Sequence, residues 1–149
     1  MNVLIVEDSE LKIKELELFI EKNYSVNISY DIARTFKDSA VRVVRGGYDL
    51  IILDMTMPVK SGGGVKTRAL AGRDILGLIK YNNIVNVKVI IFSQFGEFGG
   101  KENILTLSDI YEEFKVDFPE YILGCIQYSG TSDSWKKELK RMLKELKLK

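Results

Sequence analysis

Apolar residues gather along the chain in five short runs, Val3 to Val6, Val26 to Tyr30, Leu50 to Leu53, Val87 to Phe92 and Tyr121 to Ile126. Their length and their turn-rich flanks predict strands. The first, third and fourth are continuously apolar rather than alternating, as expected of central strands of a parallel sheet covered on both faces. Between the runs, apolar positions recur at helical spacing. Leu11, Leu16, Phe19 and Ile20 give a first helix its buried stripe, with Ser9 or Asp8 as N-cap. Arg34 to Arg45 predicts a second helix, ended by Gly46 and Gly47. Arg73 to Lys80 predicts a third and Ile104 to Phe118 a fourth, closed by Pro119. In the last, capped by Ser132 or Ser134, Trp135, Leu139, Met142, Leu143 and Leu146 mark one face and lysines the other.

The order is a strand followed by a helix, repeated five times. That alternation predicts an α/β fold, a doubly wound five-stranded parallel sheet whose right-handed crossovers place helices on both faces. Ligands of such sheets bind beyond the carboxyl ends of the strands, where the strand order switches direction. Two connections are longer than the plan requires. Met57 to Gly72 carries Gly62, Gly63 and Gly64 among Lys60, Lys66, Arg68 and Arg73, and Gln94 to Asn103 carries three glycines with Phe95 and Phe98. Connections longer than about 12 residues are commonly functional.

At 149 residues, 46% of them hydrophobic, the chain has material for one sizeable core, so residues 1–149 are expected to form a single stand-alone domain. The charge is nearly balanced, 22 Lys and Arg against 21 Asp and Glu, which gives no basic bias of the kind that nucleic-acid binding uses. No apolar run approaches the ~20 residues that span a bilayer, and the amino terminus turns acidic at Glu7 and Asp8, unlike a signal peptide. A cytoplasmic protein without nucleic-acid or membrane partners is expected. Cys125 is the only cysteine and histidine is absent, which excludes intramolecular disulfides, histidine-centred catalysis and a phosphohistidine carrier within this chain.

The chemistry lies at the strand ends. Glu7 and Asp8 directly follow the first run, Asp54 the third and Ser93 the fourth, so all four converge on one edge of the sheet. Three carboxylates gathered there repel one another unless a cation joins them, and hard oxygen ligands with room for water suit Mg²⁺. A carboxylate beside Mg²⁺ is also a nucleophile for a phosphoryl group.

The segments Val3-Leu4-Ile5-Val6-Glu7-Asp8, Tyr48-Asp49-Leu50-Ile51-Ile52-Leu53-Asp54-Met55-Thr56-Met57-Pro58 and Val89-Ile90-Ile91-Phe92-Ser93 resemble the response-regulator receiver domains of two-component signalling. The resemblance implies a flavodoxin-like receiver fold with strand order 2-1-3-4-5. It implies Asp54 as phosphoacceptor and Ser93 as the hydroxyl that closes on the phosphoryl group. Glu7, Asp8, Asp54 and the backbone carbonyl of Thr56 are implied as the Mg²⁺ site. A sensor histidine kinase or phosphotransfer protein is implied as donor, with a protein output partner docking on the fourth helix, fifth strand and last helix, where Tyr111, Phe114 and the lysines of residues 136 to 149 lie. The chain departs from the family where a Lys is customary at the end of the fifth strand: it has the neutral Gln127, and Gln94 follows Ser93 where a small residue is usual. Phosphorylation is therefore expected to be slow unless Lys101 or a lysine of the glycine-rich connection reaches in. The alternative is a receiver-like interaction module that does not use phosphate.

Other signals carry less. Gly62-Gly63-Gly64-Val65-Lys66-Thr67 lacks the contiguous Gly-Lys-Thr of a phosphate loop. Asp54-Met55-Thr56 lacks the second carboxylate of a haloacid-dehalogenase phosphatase, so an enzyme is not expected. Cys125 reads as a small buried hydrophobe and Trp135 as core packing.

Overall fold

In the computed structural model, which describes residues 1–55, 57–58, 67–68, 71–94, 97–98 and 105–146, the five apolar runs become one parallel sheet. Its strands are β1 (Asn2–Val6), β2 (Ser29–Ala33), β3 (Leu50–Leu53), β4 (Lys88–Ser93) and β5 (Ile122–Gln127), in the spatial order β2-β1-β3-β4-β5. The expected 2-1-3-4-5 order is the observed one. Helices α1 (Glu10–Tyr24), α2 (Phe36–Arg45), α3 (Ala71–Tyr81), α4 (Leu107–Asp117) and α5 (Ser134–Glu145) fill the crossovers. Two short antiparallel pairs, Met57–Pro58 with Thr67–Arg68 and Glu97–Phe98 with Leu105–Thr106, lie in the two long connections. The side chains of Phe95 and Phe98 and the Gly62 to Gly64 run fall outside the described residues.

Alternation along the strands explains the continuous apolar runs. Leu4, Val6, Ile51, Leu53, Val89 and Ile91 face α2, α3 and α4, where they meet Val43, Ile75, Leu76, Ile110 and Phe114. Val3, Ile5, Leu50, Ile52, Ile90 and Phe92 face α1 and α5, where they meet Leu16, Phe19, Trp135, Leu139 and Met142. A strand covered on both faces has no position left for a polar side chain. Among the described residues, no helix is long and apolar enough to cross a membrane.

Five sequence expectations shift. The second strand runs Ser29–Ala33 rather than from Val26, which is 94% exposed, because α1 continues to Tyr24 and its carbonyl takes the Asn27 and Ile28 amides in a closing turn. Leu11 is 61% exposed; the buried stripe of α1 is Lys12, Ile13, Leu16, Phe19, Ile20 and Tyr24. The second helix starts at Phe36, since Thr35 caps it by accepting the Asp38 amide, and Arg34 instead pairs with Glu10. Phe114, expected on an output surface, is wholly buried beneath α4, packed edge-on to Phe118. The last helix is capped at Asp133, with the Ser132 hydroxyl accepting the Ser134 amide.

Gly72, at the start of α3, lets that helix approach the end of β3. A Cβ there would lie 2.8 Å from Met55 Sδ and 3.2 Å from the Asp54 carbonyl oxygen. The Met55 thioether can move, but the Asp54 carbonyl belongs to the loop that positions the acidic cluster. Gly72→Ala is therefore expected to destabilise the fold by about 1–3 kcal/mol, as overpacking of a filled interior does. Urea unfolding of the two proteins measures it, and unchanged stability would show that the loop yields freely.

Candidate functional site

The carboxyl ends of β1 and β3 set the site. The Glu7 amide donates to the Ala33 carbonyl and the Asp54 amide to the Val6 carbonyl, both at 3.0 Å, so the residues just past the strands are held by sheet-like bonds. Glu7, Asp8 and Asp54 converge there, each offering a carboxylate oxygen within 4.8 Å of the others. Glu7 and Asp54 are buried, while Asp8 faces solvent. The Met55 amide donates to Asp54 Oδ1 at 2.8 Å. Glu7 Oε2 accepts the Asp8 and Ser9 amides at 3.1 and 3.2 Å, which fixes its side chain against the start of α1.

Ser93 ends β4, opposite Gln127 of β5 in register. Its hydroxyl is fully buried and has no hydrogen-bond partner among the described residues. Buried hydroxyls are nearly always satisfied, so a hydroxyl left without a partner among the described residues, at the edge that holds the acidic cluster, fits an oxygen ligand brought to that edge. Gln127 and Gln94 are both exposed. Thr56, Lys101 and the lysines at 60 and 66 lie outside the described residues, while Arg73 is paired with Glu113 on α4.

The sequence reading missed Lys12. This side chain is only 2% exposed, and its Nζ lies 2.5 Å from Glu7 Oε1 and 3.8 Å from Asp54 Oδ1. The ammonium also stands over the rings of Phe92, at 5.3 Å, and Tyr128, at 5.7 Å. Ser9 caps α1 by accepting the Lys12 amide, so the lysine sits in the first helical turn, where the dipole disfavours a cation. The available signal was its spacing: Lys12 lies four residues before Leu16 and continues the stripe of Phe19 and Ile20.

Electrostatically the cluster is short of positive charge, with three carboxylates facing one ammonium among the described residues. Burial, then the charge of Glu7, pushes the Asp54 carboxyl up to about 8, and Lys12 and the Met55 amide only partly oppose this. That donor set fits a hard divalent cation, since oxygen ligands, one of them solvent-facing, leave room for retained waters. Cys125 does not join the chemistry; burial pushes its thiol up to about 12.

No protein-family model matches the chain. Over 156 aligned residues it is 30% identical to the Detocs response regulatory protein DtcB of Enterobacter cloacae (strain JD6301), a match covering 98% of this chain and all of that protein. Among solved structures, the response regulator domain of Thermotoga maritima CheB aligns with a TM-score of 0.66 at 19% identity, covering 100% of this chain and 98% of that one. The T. maritima response regulator protein TrrA, solved in complex with Mg²⁺ and BeF, aligns with a TM-score of 0.54 at 21% identity, covering 95% of this chain and 97% of its own. At such identities the structural likeness is one of fold.

The raised Asp54 pKa has a pH consequence in the metal-free protein. A carboxyl whose folded-state pKa exceeds its unfolded value takes up a proton on folding, so its favourable share is complete below about pH 4 and is lost as pH rises through about 8. Thermal melts from about pH 5 to about pH 9 should therefore show the wild type losing stability relative to Asp54→Asn, whose neutral amide does not titrate. A constant difference across that range would place the Asp54 pKa near the ordinary carboxylate value.

Proposed function

The chain belongs to the response-regulator receiver family, and on that premise we propose that it accepts a phosphoryl group on Asp54 in a Mg²⁺-dependent phosphorelay and signals through a protein partner. The observation that carries this reading is the buried Asp54 carboxylate, set among Glu7 and Asp8 within 4.8 Å, at the same strand-end edge as a Ser93 hydroxyl that has no partner among the described residues. Residues 1–149 act in this reading as one receiver domain of a cytoplasmic protein.

The donor is a phosphohistidine of a sensor kinase or phosphotransfer protein. An Asp54 carboxylate oxygen attacks phosphorus as the bond from phosphorus to the donor ring nitrogen breaks. That electron pair stays on the nitrogen, and a ring protonated at its other nitrogen leaves as neutral imidazole. The product is an aspartyl phosphate dianion, so atoms and charge balance.

Asp8 and Asp54, with the Thr56 carbonyl, would hold Mg²⁺, while Glu7 keeps the neighbouring backbone amides in place. When bound, the ion supplies the positive charge that lets Asp54 ionise and that offsets the negative phosphoryl oxygens. The Met55 amide orients the attacking carboxylate. Ser93, whose buried hydroxyl has no partner among the described residues, can donate to a phosphoryl oxygen. For output, a shallow groove between α4 and α5 over the end of β5 is lined by Leu107, Ser108, Tyr111, Gln127, Ser134 and Glu138. It adjoins both the site's edge and the exposed faces of two helices, and supports a docking surface there.

The exposed, neutral Gln127 favours the second reading, a phosphate-independent interaction module. Intact-mass analysis after incubation with Mg²⁺ and acetyl phosphate separates the two. Addition of one phosphoryl group to the wild type, abolished in Asp54→Asn and by excess chelator, is the expected result; unmodified wild type would support the module. Calorimetry should likewise show one Mg²⁺ binding with modest affinity, lost in Asp8→Asn and Asp54→Asn, and equal binding in those variants would put the ion elsewhere.

A further inference from the structure

We propose that Lys12 is the second cation of the phosphoryl site, meeting the oxygens of the group carried on Asp54 and doing from the first helix what Gln127 at the end of β5 cannot. This rests on the reading of Asp54 as the phosphoacceptor.

Four observations converge on the lysine. It is buried, although lysines almost never are unless paired, and it sits in the first turn of α1, where the helix dipole opposes it. Its Nζ pairs with Glu7 and stands 3.8 Å from Asp54 Oδ1, too far for a hydrogen bond yet within reach of oxygens that a phosphoryl group would add to that carboxylate. The second carboxylate in its reach is thus the acceptor itself. Finally, Gln127 pairs in register with Ser93, so the end of β5 borders the site without supplying charge.

A structural ion pair with Glu7 alone would explain the burial. It would not explain why the ammonium also stands within 3.8 Å of the one carboxylate that gains negative charge in the reaction. As the phosphoryl group forms, its oxygens carry the spreading charge, and a charge-assisted bond from an ammonium is roughly twice as strong as a neutral amide can give. Lys12 then shares its bonds between Glu7 and the phosphoryl oxygens. Any such shift is felt by the rings of Phe92 and Tyr128 that flank the ammonium, and both pack against Trp135 at the head of α5, at 5.4 and 5.9 Å. The only tryptophan of the chain is therefore placed to report the event.

The test follows Asp54 labelling by acetyl phosphate with Mg²⁺, alongside Trp135 emission on addition of Mg²⁺ and beryllofluoride. The proteins are wild type, Lys12→Met, Lys12→Met with Gln127→Lys, and Asp54→Asn, with thermal melts confirming that each is folded. Lys12→Met is expected to slow labelling by about 100-fold, the scale of losing one well-placed donor to a developing charge, and to abolish the emission change. Adding Gln127→Lys should restore most of the rate, which a purely structural lysine would not allow. If Lys12→Met fails to fold because Glu7 is left buried and unpaired, Lys12→Met with Glu7→Gln carries the same expectation. Labelling and emission of folded Lys12→Met that match the wild type would overturn the proposal while leaving Asp54 as acceptor. Wild type that neither labels nor responds would overturn both.

Discussion

Burying carboxyl groups together is costly in a protein, and this site does so at the junction of β1 and β3. Glu7 and Asp54 are withdrawn from water with Asp8 at the rim, and the described positive charge opposing them is one lysine. Removing an ion from water carries an effective penalty of several kcal/mol even after relaxation, so the arrangement persists only because the sheet and the α1 cap impose it. Among the described residues the site is left wanting positive charge and, at Ser93, wanting a hydrogen-bond partner. A bound divalent ion and a phosphoryl oxygen would answer those two wants.

The rest of the structure serves that constraint. Parallel strands buried on both faces fix the ends of β1, β3 and β4 relative to one another, and helices on both sides leave no slack for the acidic residues to drift apart. Gly72 allows α3 to close beneath Met55. On the opposite side, Phe92, Tyr128 and Trp135 form an aromatic wall, and the Lys12 ammonium stands over the first two rings while it reaches the carboxylates. The same wall joins the acidic edge to α5.

Much of this was legible in the sequence because the physics that fixes it is local and strong. β1, β3 and β4 have continuous apolar runs followed by an acid or hydroxyl, which both locate the strands and aim Glu7, Asp8, Asp54 and Ser93 at one edge. β2 was misplaced by three residues because it is an edge strand with only one neighbour, and its alternation is shared with the turn at Val26. Phe114 was assigned to the surface because apolar side chains on a helix do not declare which neighbour they meet. Lys12 was missed because a hydrophobicity pattern counts lysine as solvent-facing; only its register on the α1 stripe betrays it. Thr56 lies outside the described residues, so its carbonyl stays with the resemblance that suggested it.

The most direct measurement is a crystal structure of the protein grown with Mg²⁺ and beryllofluoride, which mimics a phosphoryl group on a carboxylate. The expected result is the adduct on Asp54, Mg²⁺ touching Asp8 and Asp54, the Ser93 hydroxyl donating to the adduct, and Lys12 Nζ within about 3 Å of one of its fluorines. A bare Asp54 at saturating Mg²⁺ and beryllofluoride, with Lys12 still engaged only by Glu7, would contradict it.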